Sequence, residues 1–427
     1  MTGLQNVEDV YPLSPLQAGL LFHAIYEPAS DAYIQQVVCE LEGDLSEPAF
    51  KEAWQLLVAR HPALRTSFAA EGLADPVQVV HRAVETPWEV LIWEGLPAVE
   101  LARHQQARLA ADLRRGFDVA RPPLVRFSLA RVRPDKHWFL WTSHHLVLDG
   151  WSIQVLLREF VEAYESIRAG RTPVLPRAVP YRAFIAWLGS LPDDGETYWR
   201  SALRGAPLGV SLLSAGKSAG PRRAEAKVRL GSTGWARVEA FGRRAHLTSN
   251  TLMEGTWAIL LSRWSGAEDI LFGLTMAGRP PQIPNVDRVV GVLNNTLPLR
   301  IETRPEARVL PWLEDLQSRH SELSLRQHVS LSQVQRWIGA QAGLPLFETL
   351  FAFQNYPFDE TLRHRAGSIG VRLQVVERTH YPLTLTARPA QQGVEVHAVY
   401  DPDLYEAGSV ERLLEQYLVL LEAVVRE

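Results

Sequence analysis

Cysteine is all but missing from this chain. Cys39 is the single one among 427 residues, which excludes an intrachain disulfide and a thiolate metal cluster and fits a reducing compartment. No apolar run is long enough to span a bilayer, and the opening Met1 to Asp9 lacks the basic and then apolar order of a secretory signal. A soluble, cytoplasmic protein with no membrane partner is expected. No long run of one charge sign occurs either: 44 Lys and Arg stand against 48 Asp and Glu, for a formal charge of −4, which argues against nucleic acid as a partner. A nucleotide-binding loop is absent as well.

What is present is the composition of a globular protein. Hydrophobic residues make up 46% and charged residues 22%, and the length suggests two lobes, each with its own core. Tyr33 to Leu41 is rich in β-branched and aromatic residues and predicts a strand. Phe50, Trp54, Leu57 and Val58 fall on one face of a predicted helix over Glu47 to Arg60, and Leu124 to Val132 predicts another strand. A prolonged break in periodicity, with Gly170, Pro173, Pro176 and Pro180, places the expected domain boundary between 1–175 and 176–427. Gly205 to Pro221 reads as an exposed loop. The second half again alternates strands (near 226–230, 269–275, 292–301, 349–353, 371–376 and 393–400) with helices (near 233–245, 248–264, 309–324 and 409–425), so the fold class is α/β in both halves.

The local unit with chemical content runs from His137 to Tyr164. His137 to Leu146 predicts a buried strand, Leu148-Asp149-Gly150 a turn, and Ser152 an N-cap. Behind it Ile153, Leu156, Leu157, Phe160, Val161 and Tyr164 recur at helical spacing. Neighbours on a strand point to opposite faces, so at most one of His144 and His145 enters a given cavity. A neutral imidazole near pH 7 can accept a proton from an attacking nucleophile, which is what acyl transfer requires. No third His or Cys lies close by, so no metal site is expected.

The string His144-His145-Leu146-Val147-Leu148-Asp149-Gly150-Trp151-Ser152 resembles the HHxxxDG signature of nonribosomal peptide synthetase condensation domains, and its His-x-x-x-Asp-Gly core is similar to chloramphenicol acetyltransferase-like acyltransferases generally. The resemblance covers most of the chain. Tyr11 to His23 resembles the family's opening, in particular that of members taking a D-configured donor terminus. Arg60-His61-Pro62-Ala63-Leu64-Arg65-Thr66-Ser67-Phe68, Pro180 to Leu188 with Tyr198-Trp199, Gly278-Arg279-Pro280, and Val290 to Arg300 resemble later family segments. Ser330, where Pro is common, and Asn294, where Val is usual, depart from the pattern.

The resemblance implies two chloramphenicol acetyltransferase-like lobes in a V-shaped pseudo-dimer with a central tunnel. It implies peptide-bond formation, an acyltransferase step of secondary-metabolite biosynthesis in which a carrier-bound aminoacyl amine attacks a carrier-bound peptidyl thioester. No cofactor would be bound by the domain itself; both substrates would ride on the 4'-phosphopantetheine of upstream donor and downstream acceptor carrier proteins, with an adenylation domain adjacent. His145 is the implied catalytic residue, as general base or as a hydrogen-bonding partner of the amine or the tetrahedral species. His144, Asp149, Gly150 and Arg279 are assigned to the structure of the site, with Asp149 expected to pair with Arg279 and so join the turn to the second lobe. Gly150 reads as bordering the acceptor channel or as a plain turn glycine. Trp151, by residue type a core aromatic, and Asn295 are the candidate tunnel residues, Asn295 being equally readable as a strand amide bound to backbone. Three other functions compete: an epimerisation domain, which generally carries a second-lobe glutamate and a differently written opening; a freestanding coenzyme A-dependent acyltransferase, whose plant-type Asp-Phe-Gly-Trp-Gly motif is absent; and an inert platform for tailoring enzymes.

Overall fold

A computed structural model of the chain describes residues 3–28, 30–192, 195–209, 223–341, 344–355, 370–376, 378–390 and 392–426. Strands and helices are numbered in chain order. Its contacts divide the chain into two units, of which the first takes Met1–Leu191 together with Arg279–Leu293 and Tyr356–Arg378. A single cut at 175/176 therefore does not describe the division, because two later segments are held by side chains and strands of the first unit.

The first unit holds β1 (Val7–Pro12), α1 (Pro15–Tyr26), β2 (Ile34–Glu42), α2 (Glu47–Arg60), β3 (Thr66–Ala69), β4 (Val77–His81), β5 (Trp88–Ile92), α3 (Ala98–Arg115), β6 (Val125–Arg133), β7 (Lys136–His144), α4 (Gly150–Arg168) and α5 (Arg182–Gly189). A late strand, β12 (Gly370–Val376), joins it antiparallel to β2, so that the larger sheet has the order β12-β2-β7-β6-β5. A smaller sheet is ordered β1-β4-β3. Strand alternation on β7 explains how two cores use one sheet. Phe139 and Trp141 face α2 and α4 and pack with Phe50, Trp54 and Phe160; Trp138 and Leu140 face the other way and pack with Trp93. The apolar spacings read from the sequence are buried at Phe50, Trp54, Leu57 and Val58 on α2 and at Ile153, Leu156, Leu157, Phe160 and Tyr164 on α4, while Val161 of the same run is partly buried.

The second unit has one six-stranded sheet, built from β8 (Ala224–Leu230), β9 (Asp269–Met276), β10 (Asn295–Glu302), β11 (Thr349–Phe353), β13 (Leu383–Ala390) and β14 (Gly393–Tyr400) in the order β10-β9-β11-β13-β14-β8. The helices α7 (Ser232–Ala245), α8 (Ser249–Ser265), α9 (Val309–Ser324) and α11 (Ala407–Val424) follow the predicted segments closely, and α8 is buried nearly all round. Short helices α6 (Glu196–Ala202) and α10 (Leu331–Trp337) were not foreseen. Ser330 is the N-cap of α10, accepting from Gln333 N, which gives the serine at this departure from the family pattern a local purpose. Most of the expected loop over Gly205 to Pro221 lies outside the described residues. Among the described residues no helix is long and apolar enough to cross a membrane.

Trp54 is 1% exposed and stacks on Phe160 at 4.8 Å and against Phe127 at 4.7 Å. Trp54→Ala is expected to cost about 3–5 kcal/mol of stability, read by chemical denaturation. A loss below about 1 kcal/mol would show that the face of this sheet covered by α2 and α4 is not packed as described.

Candidate active site

β7 ends at His144, and the next three residues form a turn, so His145 sits one residue past the strand rather than within it. Its backbone N–H donates to the Tyr33 carbonyl at 2.7 Å, extending the β2 edge by one bond. The imidazole Nδ1 lies 2.6 Å from the Leu148 carbonyl oxygen. A carbonyl only accepts, so in neutral His145 the proton resides on Nδ1 and Nε2 carries the lone pair. No described residue hydrogen-bonds that Nε2, and the side chain is half-buried. The arrangement presents an acceptor for an N–H or O–H proton.

His144 is turned the other way. It is 5% exposed, meets Phe117 edge-on at 6.3 Å, and accepts the Leu146 N–H on Nδ1 at 3.0 Å. That bond requires a neutral ring. Burial pushes the imidazole down to about 3, and the neighbouring His145 adds to the effect.

Asp149, not Ser152, is the N-cap of α4, and Ser152 is its third helical residue. The carboxylate, 2% exposed, accepts from Ser152 N at 2.7 Å, Ser152 Oγ at 2.6 Å, and Leu293 N at 3.2 Å. Arg279 Nη2 completes the set at 3.1 and 3.2 Å from the two oxygens. The expected pair is thus present. Its expected role as a tie between lobes is not: Arg279–Leu293 belongs to the same unit as Asp149. The reason is the density of bonds to that segment, with the Asp149 N–H donating to the Gly291 carbonyl at 3.2 Å and the Gly291 N–H donating to Ser152 Oγ at 3.0 Å. Ile283, Val289 and Leu293 also pack with Tyr11, Tyr181 and Phe184.

Gly150 begins α4 and has no positive φ, so the turn needs no left-handed glycine there. Trp151 is half-buried; its Nε1 donates to the Asp287 carbonyl at 2.8 Å and the Arg279 guanidinium lies 5.0 Å from its ring centre. Asn295 belongs to the second unit, is 3% exposed, and spends its Nδ2 on the carbonyls of Gln327 and Val329 at 2.8 and 2.7 Å. The strand-amide reading describes it. Arg65 is buried with Nε on the Val58 carbonyl at 3.1 Å and Nη1 on Glu8 at 2.6 Å, while Arg60 and His61 both meet Glu159, at 2.9 and 2.7 Å. All four contacts stay inside the first unit.

One residue to which the sequence reading gave no role, Gln17, holds the turn, and Gln78 holds Gln17. Gln17 donates from Nε2 to the Leu146 carbonyl at 2.8 Å and to Gln78 Oε1 at 2.9 Å. The only signal in the sequence was Ser14-x-x-Gln17, a capping box, which accounts for one end of the amide and says nothing of the other.

The family model for the condensation domain matches residues 7–427. A linear gramicidin synthase of Brevibacillus parabrevis is 37% identical over 426 residues, an alignment covering 99% of this chain and 8% of that protein. A four-domain nonribosomal peptide synthetase superposes with a TM-score of 0.84 at 18% identity, over 99% of this chain and 33% of that one. The first condensation domain of the calcium-dependent antibiotic synthetase does so with a TM-score of 0.82 at 18% identity, over 99% and 97%. Both structural likenesses show the fold, an α/β fold of the chloramphenicol acetyltransferase type. The chain belongs to the condensation-domain family of nonribosomal peptide synthetases, whose reaction is peptide-bond formation. It spans about 8% of the length of the gramicidin synthase it matches.

Asp149→Ala leaves Arg279 buried without its carboxylate and removes the α4 cap. A loss of about 3–5 kcal/mol is expected in chemical denaturation, and unchanged melting would contradict the account. His144 gives a second, pH-resolved expectation. Its folded pKa is lowered, so between about pH 6.5 and the folded value of about 3 the unfolded chain holds a proton that the folded chain refuses. Stability therefore falls as pH falls through that window, by at most about 1.4 kcal/mol per unit from this group. His144→Asn, which offers an acceptor but no titrating ring, should show a shallower decline between pH 7 and 5; an unchanged slope would remove His144 as its source.

Proposed function

We propose that this condensation domain uses His145 Nε2 to accept a proton from an aminoacyl amine as that amine attacks a peptidyl thioester. Both substrates are carried on phosphopantetheine arms, the peptidyl donor on an upstream carrier protein and the aminoacyl acceptor on a downstream one. The amine nitrogen forms a bond to the thioester carbonyl carbon, and the carbon–sulfur bond breaks. The donor's arm leaves as a thiolate, which regains a proton as its thiol. The peptide, one residue longer, stays on the acceptor arm.

The observation that supports this reading is the 2.6 Å contact of Nδ1 with the Leu148 carbonyl oxygen. It commits the neutral ring to a lone pair on Nε2, an acceptor for the amine's N–H. With no proton on Nε2, neutral His145 offers no donor to an oxyanion; only after taking the amine's proton does it become one. Of the two roles open to this residue, proton acceptor and holder of the amine come first and share one atom. A thioester is already activated, so holding amine and carbonyl together contributes much of the rate, of the order of 7–11 kcal/mol in well-oriented model reactions. The site need not contain a strong base.

The likeness of Tyr11 to His23 to members with D-configured donors supports a peptidyl donor ending in a D residue. An adenylation domain beside the acceptor carrier completes the expected neighbourhood.

His145→Ala should lower single-turnover peptide formation by about 10²–10⁴-fold with the folded state retained. Near-normal turnover with a natural aminoacyl acceptor would overturn the role. Mass spectrometry of products from matched L- and D-terminated donor carriers should show preference for the D-terminated arm; equal use, or preference for L, would overturn the stereochemical part.

A further inference from the structure

Gln17 lies in the opening segment, whose part in the reaction is not explained by the chemistry above. It is 1% exposed, and its amide has a partner for the oxygen and one for each N–H. Oε1 accepts the Ser14 N–H at 2.8 Å and has Tyr181 Oη at 3.3 Å, while Nε2 donates to Gln78 Oε1 at 2.9 Å and to the Leu146 carbonyl at 2.8 Å. The orientation of the amide is dictated by its neighbours: a backbone N–H must face oxygen and a backbone carbonyl must face nitrogen. Gln78, also 1% exposed, is itself fixed by donating to the Pro12 carbonyl at 2.9 Å. Tyr181 Oη sits 2.7 Å from the Val292 carbonyl, on the segment whose Leu293 N–H reaches Asp149.

The consequence falls on residue 146. Its N–H is taken by His144 Nδ1 and its carbonyl by Gln17 Nε2, so both backbone polar groups of the residue following His145 are bound to buried side chains. His145 itself is bound at its backbone N–H by Tyr33 and at its ring by Leu148. A turn has no ladder to fix it; here side chains from β7 and α1 do so.

We infer that Gln17 is a positioning residue for the condensation reaction, holding the Leu146 carbonyl so that the turn presents His145 Nε2 in one place. The inference rests on the reading of His145 as the acting group. A misplacement of about 1 Å can cost about 100-fold in rate. Gln17→Met keeps the volume and removes both donors, leaving the Leu146 carbonyl buried without its partner.

The test measures steady-state peptide formation by Gln17→Met with carrier-bound donor and acceptor, together with hydrogen exchange of the peptide spanning residues 145–149. The expected result is a kcat lower by about 10- to 100-fold, KM for both carriers within about twofold of the parent, and faster exchange of that peptide while peptides of the second unit are unchanged. A folded variant with parental kcat and parental exchange overturns the inference. Faster exchange with unchanged kcat overturns it too, because the turn would then be loosened at no cost to the reaction; failure of the His145 reading itself shows separately, as near-normal turnover by His145→Ala. Should Gln17→Met fail to fold, Gln17→Glu carries the same test: it keeps the shape and the oxygen facing Ser14, and it loses the amide donors.

Discussion

The Asp149 carboxylate is the constraint on which the rest of the site depends. It caps α4, receives Arg279 on both oxygens and takes the Leu293 N–H, so one buried charge joins the turn that follows the histidines, the helix behind it and a segment 130 residues further along. A buried carboxylate is costly unless every lone pair is used, and here each oxygen meets both a neutral donor and a guanidinium. Specificity of structure follows from that cost. The backbone between β7 and α4 has little freedom once Asp149 must meet these donors together.

Close approach reinforces the constraint. Gly291, whose carbonyl takes the Asp149 N–H and whose N–H donates to Ser152 Oγ, lies so near Tyr181 that a Cβ there would overlap the phenol ring. Tyr181 in turn touches Gln17 and Val292. Buried polar groups thus form a connected set around the turn, and each of them owes its position to the others. The histidine proposed to meet substrate makes few of these bonds itself.

The sequence made the periodic parts of the fold legible. Phe50, Trp54, Leu57 and Val58, and the run from Ile153 to Tyr164, announced their buried faces because burial on a helix repeats every three or four residues. Short helices such as α6 and α10 have too few turns to leave such a mark. At the site, both histidines were read onto one strand, which in fact ends at His144 and leaves His145 in the turn, while the Asp149–Arg279 pair followed from the family resemblance. The cap was misplaced by three residues because Asp149 and Ser152 are both good capping types, and only the backbone shows which one opens the helix. What could not be read were bonds between distant positions: Gln17 with Leu146, 129 residues apart, or Arg126 with Asp112, a buried pair at 2.6 Å whose aspartate is the one buried residue of α3. Neither lies on a pattern. The attachment of Arg279–Leu293 to the first unit was hidden for the same cause, since it is made by individual polar contacts and scattered apolar ones within a segment of irregular structure.

For the chemistry, the deciding feature is a tautomer. A neutral ring bound through Nδ1 to a carbonyl offers a lone pair at Nε2, and the same ring with its proton on Nε2 would have nothing with which to accept from an amine. Nitrogen-15 NMR of histidine-labelled protein near pH 8, with His145 identified by its loss in a substituted variant, reads this directly. A protonated, hydrogen-bonded Nδ1 and an unprotonated Nε2 on His145 are predicted; a proton residing on Nε2 would contradict the account of how this domain receives the attacking amine.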